Sequence, residues 1–256
     1  MHRPRKRFGQ HFLHDSGVID AIVGAIGPGA GDTVVEIGPG EGAITTPLAR
    51  LAGRLHAIEF DRDLARGLRE RYAGSDRVQV HEADALRFDF ASLGQDLRLV
   101  GNLPYNISTP LLFHLLDCHE QVRDMHFMLQ KEVVERMAAA PGSRDYGRLT
   151  VMLGVRLAVV PLFDVPPEAF RPPPAVMSSV VRLAPLPAGS YAIDDPARFA
   201  QLVRQAFGMR RKTLRNALAG HATPAQLEAA DIDPGARAEQ VPIACWVALA
   251  NSVAAG

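Results

Sequence analysis

Cysteine is scarce in this chain: Cys118 and Cys245 are the two present, far apart and in apolar, helix-patterned surroundings. Neither belongs to a C-x-x-C pair or a Cys/His cluster, which argues against both a disulfide framework and a structural zinc site. A reducing, cytoplasmic compartment and a protein without bound metal are expected. Also missing is any apolar run near the roughly 20 residues that a membrane span needs. The N-terminal stretch Met1-His2-Arg3-Pro4-Arg5-Lys6-Arg7 is basic. No hydrophobic segment follows it, so a secretory signal is not expected. There is no internal repeat, no low-complexity segment and no excess of charge, since 28 Lys and Arg balance 28 Asp and Glu. The zero sum conceals a distribution. Basic residues gather at 3–7 and again at 204–215, while acids are dispersed. Only the face that meets phosphate has to be positive, so clustering counts for more than the total.

What is present fits an ordinary folded protein. At 256 residues, 47% hydrophobic and 22% charged, the chain is long enough for one large α/β domain and a small appendage. Asp15 is placed to cap a helix whose apolar face is Val18, Ile19, Ile22, Val23 and Ile26. Short apolar runs at 33–37, 55–59, 77–81, 97–101 and 125–129 read as strands, with helices between them. Asp61 caps one of these helices, and Ser108 is expected to cap another that carries Pro110 in its first turn. Strand, helix, strand in succession implies parallel pairing and a doubly wound sheet. Apolar runs at 149–160 and 179–183 predict further strands, including an antiparallel edge. Pro185-Leu186-Pro187-Ala188-Gly189 reads as a linker. Beyond it the pattern is helical, as in Phe199, Leu202, Val203 and Ala206. The expected division is a catalytic domain over 1–186 and a small C-terminal α-helical domain over 187–256.

The first predicted strand of the sheet runs into Gly38-Pro39-Gly40-Glu41-Gly42. Glycines here let the backbone come close to a ligand, although a tight turn with no ligand gives the same letters. Glu59 closes the second strand about 20 residues on, where a carboxylate can accept from both ribose hydroxyls of an adenosine-containing cofactor. Asp84, with Ala85 beside it, follows the third and is placed to accept from the adenine amine of such a cofactor; a helix cap is its other reading. The third glycine comes one residue early for a dinucleotide fingerprint, and no G-K-[ST] follows for a P-loop. The pattern leans towards S-adenosyl-L-methionine, which has no phosphate to seat.

Asn102-Leu103-Pro104-Tyr105 follows the fourth strand and so faces the same crevice. The exocyclic amine of adenine is a poor nucleophile because its lone pair is delocalised into the ring. Two acceptors for its protons, the Asn102 side-chain oxygen and the Pro104 carbonyl, would draw the nitrogen towards tetrahedral geometry. Tyr105 can stack on the base. Such catalysis works by positioning and hydrogen bonding, without a strong base at the outset.

The longer string Gly101-Asn102-Leu103-Pro104-Tyr105-Asn106-Ile107-Ser108-Thr109-Pro110 resembles the small-subunit ribosomal RNA adenine dimethyltransferase family, the KsgA/RsmA type. The resemblance spans nearly the whole chain. It includes Arg5-Lys6-Arg7-Phe8-Gly9-Gln10-His11-Phe12-Leu13, Val35-Glu36-Ile37-Gly38-Pro39-Gly40 and Met128-Leu129-Gln130-Lys131-Glu132-Val133. It continues through Tyr146-Gly147-Arg148-Leu149, Phe170-Arg171-Pro172-Pro173-Pro174 and Arg210-Arg211-Lys212-Thr213-Leu214-Arg215-Asn216. It implies a Rossmann-like class I methyltransferase fold in which His11, Leu13, Gly38, Gly40, Glu59, Asp84, Ala85 and Asn102 meet the cofactor. Many relatives carry Asn where this chain has His11. It further implies transfer of two methyl groups to each of two adjacent adenines in a hairpin loop near the 3′ end of 16S rRNA, within the immature small ribosomal subunit. The enzyme is expected to act as a monomer, with Phe170 as a second aromatic wall for a flipped-out base.

Arg204, Arg210, Arg211, Lys212 and Arg215 fall within three helical turns. Alone they would read as a solvated helix face; beside a base-modifying site, phosphate contact is the better reading. Arg144 and Arg148 are candidates for the same surface. Two competitors stay open. One is a large-subunit rRNA adenine methyltransferase of the macrolide-resistance type, which shares the tetrapeptide. The other is a non-catalytic small-subunit assembly factor.

Overall fold

The side chain of Asp15 accepts from the Val18 amide and starts helix α1 (Ser16–Ile26), which Gly27 ends in the left-handed conformation. Such a helix turns one apolar face to its neighbours, and Ile22 and Ile26 are buried there. The computed structural model describes residues 10–254, so the basic cluster at 3–7 lies outside the described residues. The strands are β1 (Phe12–Leu13), β2 (Thr33–Ile37), β3 (Arg54–Glu59), β4 (Val78–Glu82), β5 (Leu97–Asn102), β6 (Val122–Gln130), β7 (Leu157–Val165), β8 (Phe170–Arg171) and β9 (Ser178–Pro185). Helices α2 (Thr45–Leu51), α3 (Arg62–Arg71) and α4 (Ser108–Leu115) connect the first of them. Asp61 caps α3 by accepting from the Asp63 amide.

Seven strands form one sheet in the order β4-β3-β2-β5-β6-β9-β7, and β1 pairs separately with β8. Neighbours from β4 to β6 are parallel, whereas β9 runs antiparallel to β6. The chain winds outward from β2 to β4 and then returns to the other side of β2 as β5. That reversal creates a switch point between β2 and β5, and in open α/β sheets ligands bind in the crevice beyond the strand ends there. Gly38 leaves β2 and Asn102 ends β5 at this place. The two strands approach so closely that a Cβ at Gly101 would lie 2.4 Å from the Ile37 carbonyl oxygen, which accounts for glycine before Asn102.

Packing divides the chain into two compact units, residues 1–134 with 160–185, and residues 135–159 with 186–256. The first contains the crevice. One of its apolar clusters gathers Ile22, Leu48, Leu55, Val100 and Phe170. The second holds α6 (Arg148–Gly154), α7 (Pro196–Gly208), α8 (Leu214–Ala217), α9 (Pro224–Ala229) and α10 (Ile243–Ala254), while α5 (Lys131–Met137) crosses the division. Tyr146, Val151, Phe199, Leu202, Leu227 and Trp246 fill the core of the second unit. No helix among the described residues is long and apolar enough to cross a membrane.

Two local expectations need correction. The apolar run at 149–160 is not a strand throughout: its first part is α6, where Thr150 Oγ1 accepts from the Gly147 amide and fixes the first turn. The later part of the run is β7, which forms the edge of the sheet beyond the antiparallel β9. Ser108 does not cap α4. It is the first helical residue, Ile107 occupies the cap position, and the Ser108 hydroxyl donates to the Tyr105 carbonyl at 3.1 Å.

Candidate active site

Glu59, the last residue of β3, is 6% exposed. Its Oε2 accepts from the Gly40 amide at 3.0 Å and its Oε1 from the Asp61 amide at 2.8 Å. One carboxylate therefore ties the glycine turn to the loop after its own strand, and each oxygen keeps a further lone pair. Burial pushes its pKa up, opposed by those amide donors. Gly38 and Gly40 take φ of 69° and 59°, the left-handed region that favours glycine. A Cβ on Gly40 would meet the Phe12 ring at 3.2 Å.

These groups line a cavity of about 300 Å³, the size of a small-molecule site. Its wall also includes His11, Leu13, Asp84, Ala85, Asn102, Pro104 and Tyr105. Asp84 Oδ1 accepts from the Leu86 amide at 3.0 Å. Asn102 donates from Nδ2 to the His11 carbonyl at 3.0 Å, which fixes the carboxamide with its oxygen turned away from that carbonyl. The Pro104 carbonyl accepts from the Ile107 amide at 3.1 Å within its turn, and one lone pair is left over. The His11 ring lies against Tyr105, with centroids 5.8 Å apart and planes inclined by 27°, and its Nδ1 is 2.7 Å from the Pro172 carbonyl oxygen. The strand β1 that carries this segment is held by its pairing with β8, Leu13 opposite Phe170.

Phe170 is not in the cavity wall. It is 1% exposed and packs in the apolar cluster with Leu13 and Val165. In place of the expected base wall, the structure shows a core side chain.

Glu36 is a cavity residue that pattern reading passed over. It lies in β2, is 2% exposed, and its Oε2 has no hydrogen-bond partner. Burial, reinforced by the nearby Glu59 carboxylate, raises its pKa to about 7. The signal was available: one acid in the otherwise apolar buried run Thr33-Val34-Val35-Glu36-Ile37 demands a reason, because an unpaired buried carboxylate is costly.

The model of the family described as ribosomal RNA adenine dimethylase matches residues 1–255. The chain belongs to that family. A ribosomal RNA small subunit methyltransferase A from Aromatoleum aromaticum is 58% identical over 254 residues, covering 99% of this chain and 96% of the relative. A solved dimethyladenosine transferase from Plasmodium falciparum superposes with a TM-score of 0.81 at 27% identity, covering 93% of this chain and 96% of that one. The solved 23S rRNA methyltransferase ErmE gives 0.74 at 26% identity, covering 95% and 99%. As a ribosomal RNA adenine dimethylase, the chain is an S-adenosylmethionine-dependent enzyme of class I methyltransferase fold that dimethylates adenine in 16S rRNA. The cavity fits that donor. It offers the Glu59 carboxylate with lone pairs to spare and a buried carboxylate oxygen of Glu36 without a partner, which suit hydroxyl donors and a cationic group, and none of its described lining residues is a lysine.

In the second unit the basic residues do not share one helix. Arg204 lies on α7, Arg210, Arg211 and Lys212 occupy the turn after it, and Arg215 is the second residue of α8. The Lys212 amide donates to the Met209 carbonyl at 2.8 Å and closes that turn. All five are exposed. Arg210 donates to the Arg144 carbonyl. Among the described residues, Arg204, Arg211, Lys212 and Arg215 have no acidic partner.

Proposed function

We propose that the two target adenines are adjacent, in a hairpin loop near the 3′ end of 16S rRNA, and are methylated within the immature small subunit. In this reading Glu59 holds the ribose hydroxyls of the donor and Asp84 its adenine amine. Glu36 faces the cationic end, and His11 and Leu13 close the cavity. The donor supplies an electrophilic methyl on a sulfonium. The chain's part is to present the amine. Asn102 Oδ1 and the free lone pair of the Pro104 carbonyl accept hydrogen bonds from its two N–H groups, and Tyr105 supports the ring of the flipped-out base. The exposed cations of the second unit meet phosphate, so that structured RNA is held by its backbone while unstacked bases enter the site.

One observation carries the catalytic reading. The Asn102 carboxamide is held by the His11 carbonyl, which reserves its oxygen for a donor, at the strand end beside the glycine turn. Removing one preorganised hydrogen-bonding group from the place where charge develops, such as an oxyanion-hole donor, costs about 10²–10³ in rate. The test is Asn102→Ala with small-subunit particles and mass mapping of methylated adenines in ribosomal RNA. Methylation is expected to stop while particle binding remains. Undiminished methylation would show that Asn102 is not catalytic, and modification of large-subunit RNA would redirect the substrate.

A further inference from the structure

The phenol of Tyr105 is not free. Its hydroxyl oxygen lies 2.6 Å from Ser178 Oγ, and either group can donate. The two ends of this bond differ in kind. Ser178 is the first residue of β9, is 0% exposed, and pairs with Gln130 of β6, so its hydroxyl is fixed to the sheet. Tyr105 sits in the turn between β5 and α4, half-buried at the cavity wall. The turn's backbone is already held, by the Ile107 amide on the Pro104 carbonyl and by the Ser108 hydroxyl on the Tyr105 carbonyl. Those bonds set where the ring begins but not which way its long axis points, because χ1 still has three staggered wells to choose from. The Ser178 contact at the far tip fixes that direction, and the His11 ring against Tyr105 limits rotation of the plane about it.

Ring direction matters if Tyr105 is the platform for the target base. The adenine amine has to reach Asn102 and Pro104 together, and a small misplacement of a reacting group can cost about 10²-fold in rate. We propose that Ser178 is a positioning residue for the target adenine, acting through Tyr105 by fixing the orientation of its ring. This rests on the reading of Tyr105 as the base platform. It assigns a role in the reaction to a buried serine that touches neither donor nor base.

The test is a double-mutant cycle in the full chain with small-subunit particles as substrate. Tyr105→Phe keeps the platform and removes the bond from the accessible end; Ser178→Ala removes it from the buried end. Each is expected to lower kcat about 5- to 10-fold, as the loss of one neutral hydrogen bond would, with cofactor dissociation constant unchanged. The double variant is expected to be no slower than the worse single. Multiplying losses would overturn the proposal, because the two hydroxyls would then be acting separately. So would unchanged kcat in Tyr105→Phe, or a Ser178→Ala defect confined to melting temperature. Tyr105→Ala separates the two ideas. Full activity there removes the platform reading and this proposal with it, whereas a large loss alongside an undisturbed Tyr105→Phe removes the Ser178 role alone.

Discussion

Arg98 and Asp124 meet as a buried bidentate pair across neighbouring parallel strands, with Nε to Oδ1 at 3.0 Å and Nη2 to Oδ2 at 2.9 Å. The same guanidinium donates to Asp32 at 2.9 Å and to the carbonyls of Ile26 and Gly27 at the end of α1. It therefore satisfies helix-end carbonyls and joins α1 to the sheet below the site. Removing one member of a buried pair leaves an uncompensated charge, at a cost of about 3–5 kcal/mol. Asp124→Ala and Arg98→Met should each lose about that much in urea unfolding. The double replacement should lose less than the sum, and full additivity would show that the residues are not coupled.

Gly40 supplies the second expectation. At φ 59° with the Phe12 ring 3.2 Å from a would-be Cβ, Gly40→Ala must accept left-handed strain of about 1–2 kcal/mol and also push Phe12 out of place. Since Glu59 holds the Gly40 amide, the disturbance reaches the carboxylate assigned to the ribose. Calorimetric titration with S-adenosylmethionine should show affinity down by about tenfold, the equivalent of roughly 1.4 kcal/mol. An unchanged dissociation constant would mean that the turn does not shape the cofactor site.

The site was legible in sequence where residue type and position at a strand end spoke together. Gly38, Glu59, Asp84 and Asn102 each follow or close a predicted strand, and the fold brings those strand ends to one crevice. Illegible were the bonds that need the third dimension. Nothing in the letters links Glu59 to the Gly40 amide, Asn102 to a carbonyl at position 11, or Tyr105 to a serine 73 residues on. The partners of Arg98 come from three other segments, which no local pattern reveals. The run at 149–160 misled because a short apolar stretch lacks the length that separates helix from strand. The stacking role of Phe170 came with the family resemblance, and its burial is a matter of packing that the letters do not carry.

Acid and base limbs of stability should have separable origins. Burial lowers the pKa of His56 and His126 to about 4. Between that value and the ordinary value near 6.5 the unfolded chain binds protons that the folded one refuses, so stability falls as pH falls through this window. Glu36 has the opposite sign. Raised to about 7, it holds a proton in the folded state that the unfolded chain has lost above about 4.5, so its contribution declines as pH rises towards 7. Each group contributes a slope of up to about 1.4 kcal/mol per pH unit. His126 Nδ1 stands 3.7 Å from Asp124 Oδ1, beyond hydrogen-bond distance, and Arg98 already satisfies that carboxylate, so His126→Phe should fold and flatten the acid limb. Glu36→Gln should raise stability at pH 8 by about 1–3 kcal/mol. Melting curves from pH 5 to 8.5 decide both, and unaltered slopes would mean that other groups govern the titration.

The exposed cations of the second unit carry the last prediction. Arg211, Lys212 and Arg215 have no acidic partner among the described residues, so replacing them removes no ion pair and should leave melting unchanged within about 0.5 kcal/mol. If each meets a phosphate, each loss should lower the dependence of log affinity on log salt by about 0.7–0.9. The Arg211→Gln/Lys212→Gln protein should therefore bind small-subunit particles with a salt slope about 1.5 units shallower than the parent, and more weakly at low salt. Affinity for S-adenosylmethionine should be the same as the parent's, because the cavity lies wholly in the first unit. A parent-like salt slope would instead mark these residues as solvated surface and move the search for the RNA contact elsewhere on the molecule.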